Sequence, residues 1–305
     1  MDFLRLLESI RNPVLDFIMS IITYGGDEIF FLAIAITVFW CINKKTGYYI
    51  LIVGFFGTIL NQFMKLTFRI PRPWVQDPTF TIVESAREAA SGYSFPSGHT
   101  QNSVGTMTCV FLSTKEKWIR AVAVALIILV PFSRMYLGVH TPLDVGVAFA
   151  MALVIAGVFY LFMKRTDENP KLLSSILLVM LLVNILYWCY VTFHTFPADI
   201  DPHNLHSGTK TAYTLLGCLI GLLVARTLDE KYIHFEVKAV WWAQILKVAI
   251  GMGICMGVKS GLKPLLHLFL SEHVATAIRY GLMVFVAGAV WPLTFPWFAK
   301  LGKKD

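Results

Sequence analysis

Apolar residues run on along most of this chain without the regular polar interruption of a water-facing helix. The long apolar stretches fall at about 27–43, 46–64, 98–114, 118–133, 142–163, 172–193, 210–228, 240–258 and 274–299. About 20 such residues cross the hydrocarbon core of a bilayer as a helix. Backbone in lipid must satisfy its own polar groups, which a helix does. The pattern therefore predicts an all-α fold, a polytopic membrane helical bundle of about nine transmembrane helices. Residues 1–23 read differently. Phe3, Leu4, Leu7 and Ile10 recur at helical spacing between Arg5, Glu8 and Arg11. That predicts an N-terminal amphipathic helix lying in the interface, with a bent further span through 13–26 as the alternative. Asp2 and Glu8 dilute any basic leader and no small-residue cleavage site follows, so no cleaved signal is expected.

Composition sharpens this picture. Hydrophobic residues make up 56% of the 305 and charged residues only 15%. A chain so apolar cannot cover its surface with polar groups, which excludes a soluble enzyme, and disorder needs the opposite composition. Five cysteines lie in apolar runs without CxxC spacing and read as small buried hydrophobes. The polar stretch 164–171 (KRTDENPK) divides the chain into a helical core, 1–165, and a helical extension, 166–305.

The net charge of +7 would suggest nucleic acid in a soluble protein. Here its placement is what matters. Alternating the connections between two sides puts 14 basic residues on one side, from Lys44 and Lys45 through Lys164 and Arg165 to Lys303 and Lys304. The other side receives 11, and Lys247 falls inside a span. The richer side is expected to be cytoplasmic. Nucleic acid is not an expected partner; membrane lipids are.

Three polar segments gather on the poorer side, each at the end or start of a span: Lys65 to Arg72-Pro73, then Pro96-Ser97-Gly98-His99, then Ser133-Arg134 to His140 and Asp144. Two arginines and a lysine form a cationic cluster suited to phosphate oxygens. Such a cluster at a bilayer edge is costly unless an anion is its ligand. Ser97-Gly98 precedes a helix start, where free N–H groups and the dipole favour an anion. His140 and Asp144 stand four apart, so a helix would put the carboxylate beside the imidazole. The carboxylate would orient one ring nitrogen and leave the other as nucleophile. His99 would then donate a proton to a leaving oxygen. These are the parts of a metal-free phosphoester hydrolysis.

With these residues the chain resembles the type 2 phosphatidic acid phosphatase (PAP2) superfamily, relatives of the haloperoxidase-like acid phosphatases. The matching pattern is K-x6-R-P at Lys65 to Pro73, P-S-G-H at Pro96 to His99, and S-R-x5-H-x3-D at Ser133 to Asp144. The resemblance implies that His140 attacks phosphorus, Asp144 orients it and His99 serves the leaving group. Lys65, Arg72, Ser97, the Gly98 backbone N–H and Arg134 would bind the phosphoryl oxygens. It implies no cofactor and no metal. The expected activity is hydrolysis of a lipid phosphate or pyrophosphate, of the isoprenyl pyrophosphate, phosphatidate or phosphatidylglycerol phosphate type. Alternatives are a soluble phosphoester such as a sugar phosphate, a lipid phosphotransferase or a non-catalytic transporter or scaffold. The expected location is the plasma membrane, with the active site extracytoplasmic. Oligomeric state is open.

Three other features invite readings. Arg69 is expected to anchor at the interface. The loop His194 to His206, with two Asp and three His, is expected to be solvated, with substrate gating or metal binding as alternatives. Gly251, Gly253, Gly257 and Gly261 suggest close helix packing.

Overall fold

A computed structural model describes residues 1–301, together with every side chain in that range except that of Ala89. Lys303 and Lys304 lie outside the described residues. The described residues are helical and contain no strand. In chain order the helices are α1 (Asp2–Ser9), α2 (Pro13–Thr23), α3 (Glu28–Cys41), α4 (Lys44–Phe68), α5 (Pro73–Gln76), α6 (Gly98–Ser113), α7 (Lys117–Tyr136), α8 (Pro142–Arg165), α9 (Lys171–Phe193), α10 (Pro202–Leu228), α11 (Trp241–His267), α12 (Glu272–Phe285) and α13 (Phe295–Lys300).

Seven helical stretches among the described residues are long and apolar enough to cross a bilayer. They lie at Lys44–Gln76, Lys117–Tyr136, Pro142–Arg165, Lys171–Phe193, Pro202–Ile233, Trp241–His267 and Glu272–Lys300. The other two expected spans are short. α3 has 14 residues and α6 has 16, about 21 and 24 Å at 1.5 Å per residue. α3 forms with Pro13–Gly26 a pair bent by 50°, which counts as an eighth span if the pair is one. The first residues form two helices, since Pro13 at the first position of α2, capped by Asn12, separates α2 from α1.

Apolar side chains cover both faces of these helices. On α9, Leu173, Leu177, Met180 and Tyr187 are buried, while Leu178, Leu182 and Leu186 are exposed. In water that outer stripe would be a large liability. In a bilayer it faces its own solvent.

The chain divides into two compact units. One comprises Met1–Ile34, Tyr49–Leu161 and Phe196–Gly208, and the other Ala35–Tyr48, Phe162–Thr195 and Thr209–Asp305. In the first, α6 and α7 pack together and α2 packs on α7. The 3₁₀ turn Tyr24–Gly26 lies on the start of α6 so closely that a Cβ at Gly26 would stand 2.8 Å from both Cβ and the carbonyl oxygen of His99. In the second unit, the expected glycine packing occurs elsewhere. Gly217 and Gly221 of α10 meet the backbone of α12 at Ala277 and Gly281. Gly251 meets Trp40 and Trp291, whereas a Cβ at Gly253, Gly257 or Gly261 would meet no neighbour within 4 Å among the described residues. Lys247 is fully buried; its Nζ donates to the Val237 carbonyl at 3.0 Å and lies 4.3 Å from the Phe295 ring centroid. All five cysteines are free, with Cys109, Cys218 and Cys255 buried.

Candidate active site

All eight residues singled out by the motifs fall in the first unit. Lys65 is in the last turn of α4. Arg72 caps α5, and the following Pro73 occupies a first-turn position where its missing N–H costs nothing. Ser97 caps α6, its Oγ accepting from Thr100 N at 3.4 Å, so Gly98 and His99 open that helix. Arg134 is in the last turn of α7, His140 in the turn that follows, and Asp144 in the first turn of α8. Arg72, Ser97, Arg134, His140 and Asp144 are each at most 5% exposed.

His140 is the centre of the arrangement. Arg72 Nη1 lies 2.9 Å from His140 Nε2. The guanidinium lies over the ring face, not in line with either lone pair, since Nη1 is also only 3.4 Å from the second ring nitrogen, Nδ1. That nitrogen faces Asp144 Oδ2 at 3.6 Å and Ser94 Oγ at 3.4 Å. The spacing of four does bring His140 and Asp144 together, but at a distance beyond a direct hydrogen bond. Two other groups hold the carboxylate. Ser94 Oγ donates to Oδ2 at 2.6 Å and Thr141 N at 2.7 Å. The Asp144 carbonyl accepts from Ser97 N at 3.1 Å, tying the second motif to the third.

Burial, and after it the charges of Arg72, Arg134 and Lys65, holds the His140 imidazole well below the usual histidine range. His140 is therefore neutral at physiological pH, with Arg72 against its ring. A neutral imidazole surrounded by fixed cations is what a nucleophile toward an anionic phosphoryl group requires.

The cations are held by backbone oxygens. Arg72 Nε donates to Gly92 O at 2.9 Å, Nη2 to Ser91 O at 3.1 Å, and Nη1 also to Val139 O at 2.9 Å. Lys65 Nζ donates to Tyr93 O at 2.9 Å. Arg134 Nη1 donates to Thr23 Oγ1 at 2.7 Å, while its Nε and Nη2 have no hydrogen-bond partner among the described residues. A fully buried guanidinium with two unmatched donors is costly in apolar surroundings. An oxyanion is the ligand that would match them.

His99 faces a carboxylate that the motifs do not contain. Its Nε2 lies 2.8 Å from Asp27 Oδ1, at the start of α3. Sequence reasoning missed Asp27, Ser94, Thr141 and Thr23. None of the first two or the last stands in a recognisable spacing with the motifs, and Thr141 acts through its backbone N–H. Arg69 adopts a left-handed backbone (φ 51°) and pairs with Asp199 at 3.5 Å. The 194–206 loop is not simply solvated, because Asn204 is buried and its Oδ1 accepts from Tyr93 N at 2.8 Å. Among the described residues, no three His, Cys, Asp or Glu side chains are grouped as metal ligands.

Comparison with known proteins gives matches over both halves of the chain. The PAP2 superfamily model matches residues 45–168, and the model for the PAP2 superfamily phosphatase transmembrane extension matches 213–304. An undecaprenyl-diphosphatase of Bacillus subtilis is 32% identical over 155 residues, which cover 50% of this chain and 77% of that protein. Phosphatidylglycerophosphatase B of the same organism is 29% identical over 175 residues, 53% of this chain and 80% of that protein. Sphingosine-1-phosphate phosphatase 1 of Mus musculus is 25% identical over 274 residues, 84% of this chain and 62% of that protein. No solved structure matches the chain.

Proposed function

We propose a mechanism for this chain from the premise that it belongs to the PAP2 superfamily. It is an integral membrane phosphatase that hydrolyses a lipid phosphate or diphosphate. In the proposed reaction, His140 Nε2 attacks phosphorus as the bond to the leaving oxygen breaks. His99 gives its proton to that oxygen, which departs as a lipid alcohol or, from a diphosphate, as a lipid monophosphate. The phosphoryl group is then on His140. His99, now neutral, takes a proton from water, whose oxygen attacks phosphorus and releases inorganic phosphate. Asp144, 3.6 Å from Nδ1, stabilises positive charge on the ring and closes on Nδ1 as that charge develops. Arg72, Lys65, Arg134, Ser97 and the Gly98 N–H bind the three phosphoryl oxygens, which carry the charge of an in-line transfer. No step calls for a metal.

The observation that carries this reading is His140, buried and neutral, against Arg72 and beside an Arg134 with two unmatched donors. A phosphoryl group entering the cluster would draw the Arg72 N–H off the ring and onto its own oxygens.

α3 and α6 are read as passes in addition to the long helices, giving about nine, with residues 1–23 in the interface. Residues 1–165 are read as the catalytic core and 166–305 as the extension. The site is placed at the extracytoplasmic face of the plasma membrane. The cationic side of the chain opposes that face, and the lipid tail can stay in hydrocarbon while the headgroup reaches the cluster. The test is phosphate release by the purified protein in EDTA from an isoprenyl diphosphate, phosphatidate, sphingosine 1-phosphate and a sugar phosphate. Lipid substrates turn over and His140→Ala abolishes release. A preference for the sugar phosphate overturns the substrate class, and a fully active His140→Ala overturns the mechanism.

A further inference from the structure

Residues 91–94, between the first two motifs, belong to no helix, yet they aim most of the site. The carbonyls of Ser91 and Gly92 hold Arg72, and the carbonyl of Tyr93 holds Lys65. Ser94 N donates to Ile70 O at 2.8 Å, and Ser94 Oγ fixes Asp144 at 2.6 Å. A coil segment with this many duties needs an external support.

The support comes from the start of α10, more than a hundred residues further along the chain. Asn204 Oδ1 accepts from Tyr93 N at 2.8 Å, and Asp201 N donates to the Tyr93 phenol oxygen at 3.1 Å. Asp201 Oδ1 in turn accepts from His203 N at 2.8 Å and Asn204 N at 3.2 Å, which caps α10 and fixes Asn204. Asn204 is 7% exposed. Gly92 has φ +78°, and a Cβ there would run into Asn204 Oδ1. The coil and the helix start are thus fitted to each other at two consecutive residues.

We propose that Asn204 is a positioning residue of the active site: through residues 91–94 it holds Arg72 and Lys65 at the places where phosphoryl oxygens bind. The segment before α10 is then a working part of the phosphate site. The proposal rests on the phosphatase reading above. Asn204 touches neither substrate nor nucleophile. Removing its acceptor leaves the part-buried Tyr93 N–H unpaired and releases the carbonyls that aim both cations.

The experiment uses the full-length protein in detergent or nanodiscs, with orthovanadate as the phosphoryl probe. Asn204→Ala raises KM and the vanadate inhibition constant together, about tenfold, with a smaller fall in kcat and a melting temperature lowered by a few degrees at most. Asn204→Asp keeps an acceptor oxygen and restores both constants to within about threefold of the wild type. Tyr93→Phe, which loses only the bond from Asp201 N, moves both constants less than Asn204→Ala. Unchanged constants in Asn204→Ala would overturn the proposal. So would an Asn204→Asp as impaired as Asn204→Ala, since packing rather than the acceptor would then be at work. A wild type indifferent to vanadate would overturn the phosphate-site reading itself. A vanadate-sensitive wild type with an indifferent Asn204→Ala would overturn the positioning role alone.

Discussion

Asp27→Asn tests the proton-donor half of the mechanism. His99 must be protonated to serve a leaving oxygen, yet its side chain is largely buried at the start of α6, where desolvation and the helix dipole both oppose positive charge. His140 beside it is neutral. Asp27 supplies the opposing charge, with Oδ1 2.8 Å from Nε2. Two unit charges at about 4 Å interact by about 4 kcal/mol at an effective dielectric of 20 and by about 1 kcal/mol in bulk water. The Asp27 side chain is 34% exposed, which places the pair between those limits, at roughly 1.5–3 kcal/mol. At 1.36 kcal/mol per pH unit, the loss corresponds to about one to two units. In Asp27→Asn the basic limb of the kcat–pH profile therefore moves to lower pH by about that much. The assay is steady-state turnover of a lipid phosphate from pH 5 to 9. A parallel series uses p-nitrophenyl phosphate, whose leaving group needs little protonation and whose turnover should fall far less. An unmoved basic limb, or equal losses with both leaving groups, would refute the assignment.

Other outcomes follow from the same geometry. Ser94→Ala removes a short bond to a carboxylate, a contact worth about 1.5–3 kcal/mol. Its kcat should fall about 10- to 100-fold with KM little changed, read by steady-state kinetics. Arg134→Lys retains the charge but loses the planar fork, so kcat/KM and vanadate affinity should both fall at least tenfold while the protein still folds. Gly26→Ala should displace His99 and reduce kcat, whereas Gly253→Ala, which meets no neighbour, should behave as wild type. His140 is a group whose pKa is depressed in the folded protein, so its stabilising contribution is present above about pH 6.5 and is lost as the pH falls below that. Melting temperature should therefore decline on the acid side, and less so in His140→Gln.

The apolar pattern made the helices legible because lipid-facing and buried positions are both hydrophobic, leaving long uninterrupted runs such as α9. The same feature blurred the span count. α6 reads as apolar from Val104 onward, but its first turns carry Thr100, Gln101 and Ser103, all buried, and the helix is short. His140 and Asp144 come together although only Asp144 is in a helix, because the turn holding His140 leads directly into the start of α8. Ser94 and Asp27 were not legible, because each reaches its partner across a coil or a turn with no periodic signature. Asn204 was further out of reach. Its role depends on a tertiary contact between the start of α10 and residues 91–94, and nothing local marks it. The glycines at 251–261 illustrate the reverse case: small residues four apart permit close packing without ensuring it, and α12 meets Gly217 and Gly221 of α10 instead.

The central claim is that phosphate passes through His140. Rapid quenching of turnover with a substrate labelled in its terminal phosphoryl group tests it most directly. The account predicts a phosphoenzyme stable to base and labile to acid, formed in EDTA, mapped to the peptide containing His140 and absent from His140→Ala. It should accumulate in a variant that slows the water step. Label on another residue, or His140→Ala forming the same phosphoenzyme, would contradict the account.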